Sequence, residues 1–144
     1  MSQIRYVQND HDIEKCWQVV YALRPHLQKE NYVQQVKEME QEGYRMLYIA
    51  ETVNGEEIAV AFAGYRNMQM LYCGKIIYID DLSTLPEFRG KGYAGALLDY
   101  IHQLAKETGK DAVHLDSGYQ RNDAHRLYLN KGYKLASHHF SRGC

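Results

Sequence analysis

A basic, glycine-rich turn in the second half of this 144-residue sequence has the composition of an anion-binding site. Its residues are Arg89, Gly90, Lys91, Gly92, Tyr93 and Ala94. The turn leads into an apolar helical pattern whose first turn carries no acidic residue. Glycines let backbone N–H groups approach phosphate oxygens, and both the helix dipole and the two cationic side chains favour negative charge there. The turn therefore predicts a phosphate-binding site.

Two classes of phosphate ligand fit this turn. Gly90, Gly92 and Gly95 satisfy the dinucleotide pattern G-x-G-x-x-G, and Asp116 follows about 20 residues later, where a ribose-binding acid would lie. However, residues 85–89 separate the preceding strand from the first glycine, and only one clear β-α-β unit follows. We therefore favour the pyrophosphate of a nucleotide-containing acyl carrier and keep a nicotinamide dinucleotide as the weaker alternative.

Hydrophobic periodicity predicts the elements that position this turn, in the order β-α-α-β-β-β-α-β-α-β. Strands are expected at about 3–7, 44–52, 57–66, 75–84, 111–117 and 133–140. Helices are expected at about 10–24, 31–42, 92–108 and 122–131. Asn54 and Gly55 predict a hairpin between the second and third strands. An antiparallel front half and a β-α-β rear half make this an α+β fold with a mixed sheet, and we expect one domain over residues 1–144.

Composition excludes several partners. With 17 basic and 18 acidic residues the net charge is -1, so we expect neither nucleic acid nor a membrane as a partner. The sequence has no membrane-spanning apolar run and no signal-peptide pattern, so we expect a cytoplasmic protein. Three widely spaced cysteines indicate free thiols, and the histidines have no metal-ligand spacing, so no metal is predicted. The sequence leaves a homodimer open.

Two motifs together resemble the GNAT superfamily of N-acetyltransferases. The family pattern [RQ]-x-x-G-x-[GA] is met by residues 89–94. A second block, Asn122-Asp123-Ala124-His125-Arg126-Leu127-Tyr128 followed by Lys131-Gly132-Tyr133, is similar to the family's later motif. The resemblance implies a sheet splayed between the strand near Asp80–Thr84 and the strand near Val113–Ser117, with acetyl-coenzyme A (acetyl-CoA) in the gap.

The resemblance also implies which residues hold the cosubstrate. The backbone of Leu82, Ser83 and Thr84 would pair with the pantetheine arm, and the turn at 89–94 would hold the pyrophosphate. Ser117 ends the second strand that borders the gap. Arg121 occupies the position, seven residues before Tyr128, where the family usually has an asparagine, and Asn122 follows it. Both are candidate cosubstrate contacts, and a role for Arg121 at the acyl acceptor stays open.

Acyl transfer to an amine needs a proton acceptor for the ammonium and a proton donor for the departing thiolate. The resemblance implies that Tyr128 is the donor. Asp80 and Asp81 interrupt an apolar strand, and because successive strand side chains alternate, we expect only one of them to face the cleft. That carboxylate would be the base or would bind a cationic substrate. Arg24 and His26, after the first helix, are candidates for recognising a carboxylate or phosphate on the substrate.

The function expected from these residues is N-acetyl transfer from acetyl-CoA to a primary amine of a small molecule. Two alternatives stay open, namely acetylation of a protein amine and a module that binds coenzyme A or another nucleotide as a sensor without turnover. The nicotinamide-dependent oxidoreductase ranks below all three.

Overall fold

A computed structural model describes residues 3–144. The strands are β1 Ile4–Tyr6, β2 Arg45–Val53, β3 Glu56–Met70, β4 Gly74–Thr84 and β5 Ala112–Leu115. The α-helices are α1 Asp10–Lys15, α2 Trp17–Leu23, α3 Lys29–Gln41, α4 Tyr93–Glu107 and α5 Asn122–Asn130, and a short 3-10 helix covers Pro86–Phe88. No helix within residues 3–144 has the length and apolar character needed to cross a membrane.

The strands form one sheet in the order β1-β2-β3-β4-β5, and β1 to β4 are an antiparallel meander. Asn54 and Gly55 have φ angles of 52° and 79°, as expected of the two central residues of a tight hairpin turn. After α4 the chain returns to the start of β4, where Asp111 N donates to Lys75 O at 2.7 Å and Lys75 N donates to Asp111 Oδ2 at 2.9 Å. This arrangement confirms the predicted α+β class with a mixed sheet.

Helices lie against both faces of the sheet. On one face Tyr44, Met46, Tyr48 and Phe62 belong to a buried cluster with side chains of α1, α2 and α3. On the opposite face Tyr6 of β1 makes an edge-to-face contact with Tyr100 of α4, with ring centroids 6.2 Å apart. The buried face of α4 consists of Leu97, Leu98, Ile101 and Ala105. The sheet therefore separates two apolar layers, as helical spacing in α4 predicts.

Contacts between residues divide the chain into two compact units, one ending at His114 and one covering Leu115–Cys144. The second unit contains α5 and a long segment without regular structure. Within it Tyr128 packs edge-to-face on Tyr133, with ring centroids 5.9 Å apart. The assignment of a single domain stays a prediction.

Several details differ from the sequence prediction, among them the start of α3, which begins at Lys29 after the N-cap Gln28 and not near Asn31. The strand expected at 133–140 was wrong, since this segment has neither helix nor strand and Leu135 and Phe140 are exposed. Its apolar alternation is broken by Ser137, His138 and His139, and an extended segment without a hydrogen-bonded neighbour gains little stability. The first helix is capped by Asn9, not Asp10, and is divided into α1 and α2 at Cys16.

Candidate active site

A β-bulge in β4 brings Asp80 and Asp81 to the same place. Gly64 of β3 pairs with Asp81 and the next residue, Tyr65, pairs with Ile79, so Asp80 is an extra residue without an opposite partner. An extra residue interrupts the alternation of side chains, and both aspartates consequently border one cavity. The expectation that only one of them could face the cleft was wrong, because alternation holds only in an unbulged strand.

The cavity has a volume of about 430 Å³ and lies entirely within the first unit. Helical and loop residues form one side and strand residues the other: Val20, Arg24, His26, Leu27, Tyr32, Gln35, Val36, Met39, Tyr44, Met46, Tyr78, Asp80 and Asp81. Arg24 and His26 are thus brought to the same cavity as the two aspartates. A concave site of this size suits a small molecule.

Asp81 is held by an arginine and a tyrosine. Arg24 Nε donates to Asp81 Oδ1 at 3.0 Å and Arg24 NH2 lies 2.9 Å from the same oxygen. Arg24 NH2 also donates to the backbone oxygen of Asp80 at 3.0 Å. On the other side Tyr44 donates its hydroxyl proton to Asp81 Oδ2 at 2.6 Å. Arg24 is the C-cap of α2, so these bonds connect that helix end to the bulge.

Asp80 is paired with a different arginine. Arg66 Nε donates to both carboxylate oxygens of Asp80 at 3.1 Å, and Arg66 NH2 donates to Oδ2 at 2.6 Å. Burial raises the pKa of Asp80 above its ordinary value, and the hydrogen bonds from Arg66 oppose this rise. A carboxylate whose pKa is raised is a better proton acceptor at neutral pH than an exposed one.

Tyr44 approaches this site because residue 64 is a glycine. A Cβ at Gly64 would lie 1.8 Å from the hydroxyl oxygen of Tyr44 and 2.4 Å from the ring carbon that bears it. Only glycine therefore permits the contact at this point of β3. Burial, and then the nearby Asp81, raise the pKa of Tyr44 well above its ordinary value. The phenol remains protonated and is a constant hydrogen-bond donor to Asp81.

The predicted pantetheine-binding residues follow the bulge directly. Leu82, Ser83 and Thr84 pair with β3 along one edge of β4. β5 has four residues and β4 has eleven, and the two strands are joined at the start of β4. A strand as short as β5 covers only the first part of that edge. At Leu82–Thr84 the edge of β4 that faces away from β3 therefore extends beyond the end of β5.

The glycine-rich turn has the open backbone that a phosphate site requires. Gly90 and Gly92 both have φ of 82°, and a Cβ at either would meet nothing within 4 Å. Gly92 is the N-cap of α4 and supplies no capping side chain. Lys91 Nζ lies 3.2 Å from Glu51 of β2, and Tyr93 donates its hydroxyl to the same carboxylate, which lowers the pKa of Glu51.

The remaining predicted residues lie in other parts of the chain. Arg89 is exposed, and its Nε donates to Thr84 O at 3.4 Å. Tyr128 is buried in α5, and burial raises its pKa, so its phenol is protonated at neutral pH. Arg121 is the N-cap of α5 and Asn122 its exposed first residue. Ser117 Oγ is buried and has no hydrogen-bond partner within residues 3–144, which fits a residue that contacts a ligand.

Sequence reasoning missed Tyr44, Gly64 and Arg66. A glycine inside an apolar strand indicates a close approach by another group, so Gly64 carried a usable signal. Arg66 gave none, since a cation near the end of an apolar run is usually a solvated residue. Among the described residues, no three His, Cys, Asp or Glu side chains come together in a way that could hold a metal ion.

Comparisons with known proteins identify the family of the chain. A sequence model of the Acetyltransferase (GNAT) family matches residues 9–133. An uncharacterized N-acetyltransferase, YhdJ, of Bacillus subtilis (strain 168) is 31% identical over 144 residues, which is 99% of each chain. The aminoalkylphosphonate N-acetyltransferase of Salmonella typhimurium (strain LT2) is 29% identical over 89 residues, covering 62% of this chain and 57% of the relative.

The fold is also found among solved structures. That of AAC(6')-Iy in complex with the bisubstrate analog CoA-S-monomethyl-acetylneamine is similar with a TM-score of 0.79 at 16% identity, over 100% of this chain and 99% of the other. The chain belongs to the Acetyltransferase (GNAT) family. It is an N-acetyltransferase, as its motifs predict.

Proposed function

We propose that this enzyme transfers the acetyl group of acetyl-CoA to a primary amine of a small molecule. The observation that carries the proposal is the position of the bulge. It places two carboxylates in a cavity of about 430 Å³, and the next three residues of the same strand extend beyond β5. One strand thereby presents an amine-binding cavity next to a backbone edge suited to an extended thioester arm.

The small-molecule class is supported by the shape of the cavity and by the relatives. A concave site of about 430 Å³ lined by helices, a loop and strands has the size of a small-molecule pocket. The Salmonella relative is named for an aminoalkylphosphonate, and the structure of AAC(6')-Iy contains a bisubstrate analog that includes CoA. Both names describe small amines, and the second supports coenzyme A as the acyl carrier.

In this proposal each group of the cosubstrate has candidate contacts. Bound acetyl-CoA supplies an acetyl thioester, whose carbonyl carbon accepts the amine. The backbone of Leu82, Ser83 and Thr84 would bind the pantetheine arm, and the N–H groups of residues 89–94 would bind the pyrophosphate. The Ser117 hydroxyl would donate to the cosubstrate, and Arg121 and Asn122 stay candidate contacts.

Two side chains would move protons. The proton of the bound ammonium passes to Asp80, which is suited to the task because burial raises its pKa. The amine nitrogen would then form the C–N bond as the C–S bond breaks, and the phenol of Tyr128 would give its proton to the departing thiolate. The second proton that the nitrogen loses would pass to water, and the Tyr128 phenolate would regain a proton from water. Asp81, whose oxygens accept hydrogen bonds from Arg24 and Tyr44 as those of Asp80 do from Arg66, stays the alternative base.

The test is release of free thiol from acetyl-CoA in the presence of a panel of small primary amines, with mass spectrometry of the products. Acetylated amine in step with thiol supports the proposal. Tight binding of acetyl-CoA without turnover on any amine would favour the sensor. Acetylation of peptides but not of small amines would favour a protein substrate, and preferential binding of a nicotinamide dinucleotide would contradict all three.

A further inference from the structure

We propose that Arg66 is a specificity-determining residue: together with Arg24 it balances the charge of the cavity and restricts the acceptor to amines with one positive charge and an apolar body. This inference rests on the proposed function and names the substrate class of that site. Polyamines, which carry several ammonium groups, would be poor acceptors.

The charges of Asp80 and Asp81 at the bulge are balanced by arginines. Both oxygens of Asp80 accept hydrogen bonds from Arg66, and both oxygens of Asp81 accept hydrogen bonds from Arg24 and Tyr44. Each carboxylate has a guanidinium within 3 Å. The two negative charges are thus matched by two positive ones. The exposed Glu42 also acts on Arg66 but does not line the cavity, so the lining formed by the described residues holds no further carboxylate to attract a polycation.

Within residues 3–144, the wall of the cavity contains no carboxylate besides Asp80 and Asp81, although the polar side chains His26, Gln35 and Tyr78 belong to it. Its buried apolar part is formed by Val20, Val36, Met46 and the ring of Tyr32, and the ring of Tyr44 lies beside Asp81. Tyr32 uses its hydroxyl to donate to Ile13 O at 2.7 Å, and Tyr44 uses its own on Asp81. A second ammonium placed against this wall would lose its water and gain no counter-charge, which is costly. A hydrocarbon chain or an aromatic ring there would be favoured.

Arg66 affects the charge of the cavity from outside its lining. It does not line the cavity but lies behind Asp80, with its guanidinium carbon 5.5 Å from the centre of the Tyr44 ring. About a fifth of its side chain is exposed, and the same holds for Asp80. Arg66 therefore acts on the acceptor through Asp80 and the Tyr44 ring and not by direct contact, and replacing it changes the charge of the cavity without altering a lining side chain.

The experiment compares three acceptors of equal length. Hexylamine has an apolar end, hexamethylenediamine a second ammonium, and aminohexanol a neutral polar end. For the wild-type enzyme we expect kcat/KM for hexylamine to exceed that for hexamethylenediamine by at least about tenfold, because an unpaired charge must be desolvated. Aminohexanol should fall between them. Equal or greater kcat/KM for the diamine would overturn the inference while leaving acetyl transfer itself intact.

The variant Arg66→Gln tests the residue itself. Without the guanidinium the cavity carries one uncompensated negative charge, so the ratio of hexylamine to hexamethylenediamine should fall by about tenfold when measured near pH 8.5, where Asp80 is ionised. Arg66→Lys keeps the charge and should keep the ratio. A general structural fault would lower kcat/KM for both acceptors together and leave the ratio unchanged, and that outcome would contradict the assignment of Arg66.

Failure of the inference and failure of the proposed function give different results. If no amine is acetylated, the proposed function fails. If amines are acetylated without discrimination against the diamine, only the inference fails. If Arg66→Gln does not fold, the variant Arg24→Gln, which removes the other guanidinium, replaces it in the test. An Arg24→Gln enzyme that discriminates against the diamine as strongly as the wild type would contradict the charge balance.

Discussion

Replacement of Gly64 by alanine tests the close contact that holds Tyr44 on Asp81. A new Cβ would lie 1.8 Å from the Tyr44 hydroxyl oxygen, which must move about 1.6 Å to reach the ordinary contact distance of 3.4 Å. A displacement of that size breaks the 2.6 Å hydrogen bond to Asp81. Losing a hydrogen bond to a carboxylate costs about 1.5–3 kcal/mol, and overpacking a core adds about 1–3 kcal/mol.

We therefore expect Gly64→Ala to lower the free energy of unfolding by about 2.5–6 kcal/mol and the melting temperature by about 8–18 °C. The sign of the change in the free energy of unfolding is decisive, because replacing glycine by alanine at an unstrained position usually stabilises a protein by about 0.4–1 kcal/mol. Urea unfolding followed by circular dichroism gives the free energy, and differential scanning calorimetry gives the melting temperature.

A double-mutant cycle with Tyr44→Phe tests whether the two residues are coupled. Tyr44→Phe alone removes the bond and also the oxygen nearest the new Cβ, so the double variant loses the bond only once and has less overlap. The two effects should then fall short of additivity by at least about 1.5–3 kcal/mol, the free energy of the shared bond. A stabilised Gly64→Ala protein, or strict additivity in the cycle, would refute the contact described here.

Three further outcomes follow from the site and its surroundings. Gly92→Ala should weaken acetyl-CoA binding by at least about tenfold in calorimetry. The control Gly109→Ala also places a side chain at positive φ, but at the other end of α4, and should leave the affinity unchanged. Equal affinities of the two variants for acetyl-CoA would contradict the site. Tyr128→Phe should lower kcat by about 10²–10⁴ without changing the dissociation constant of acetyl-CoA, and an unchanged kcat would remove its proposed role. Arg5 and Lys15 lower the pKa of Glu57 from 4.5 to about 2. Because the pKa of Glu57 is lower in the folded protein than its ordinary value, the ionised Glu57 stabilises the folded state above about pH 4.5 and loses this effect towards pH 2. The urea midpoints of the wild type and Glu57→Gln should therefore differ at pH 7 and converge at pH 2.

The sequence was sufficient to predict the order of elements up to α5. Periodicity located α4, whose buried positions Leu97, Leu98 and Ile101 have helical spacing, and the Asn54-Gly55 pair located the β2–β3 hairpin. These features are local, and short-range spacing determines them. The strand expected at 133–140 failed because a strand needs a neighbour, which depends on the rest of the fold.

The candidate site was predicted less completely. Motifs identified the turn at 89–94, and both aspartates of the strand proved to border one cavity. The bulge that brings Asp80 and Asp81 together could not be predicted, because it is a mismatch in register between β3 and β4, and neither strand alone contains that information. For the same reason Arg66 was missed, since its partner lies on the neighbouring strand.

The uncapped start of α4 has a consequence for amide exchange. Its N-cap is Gly92, which offers no side-chain acceptor, and the first helical bond is donated by Ala96 to Gly92 O. The amides of Ala94 and Gly95 therefore have no acceptor within the helix. In the free enzyme these two amides should take up deuterium within seconds, while those of Leu97 and Leu98 are protected. An anion bound at the turn would slow the exchange of both, so exchange at this helix end would report occupancy residue by residue, without a turnover assay.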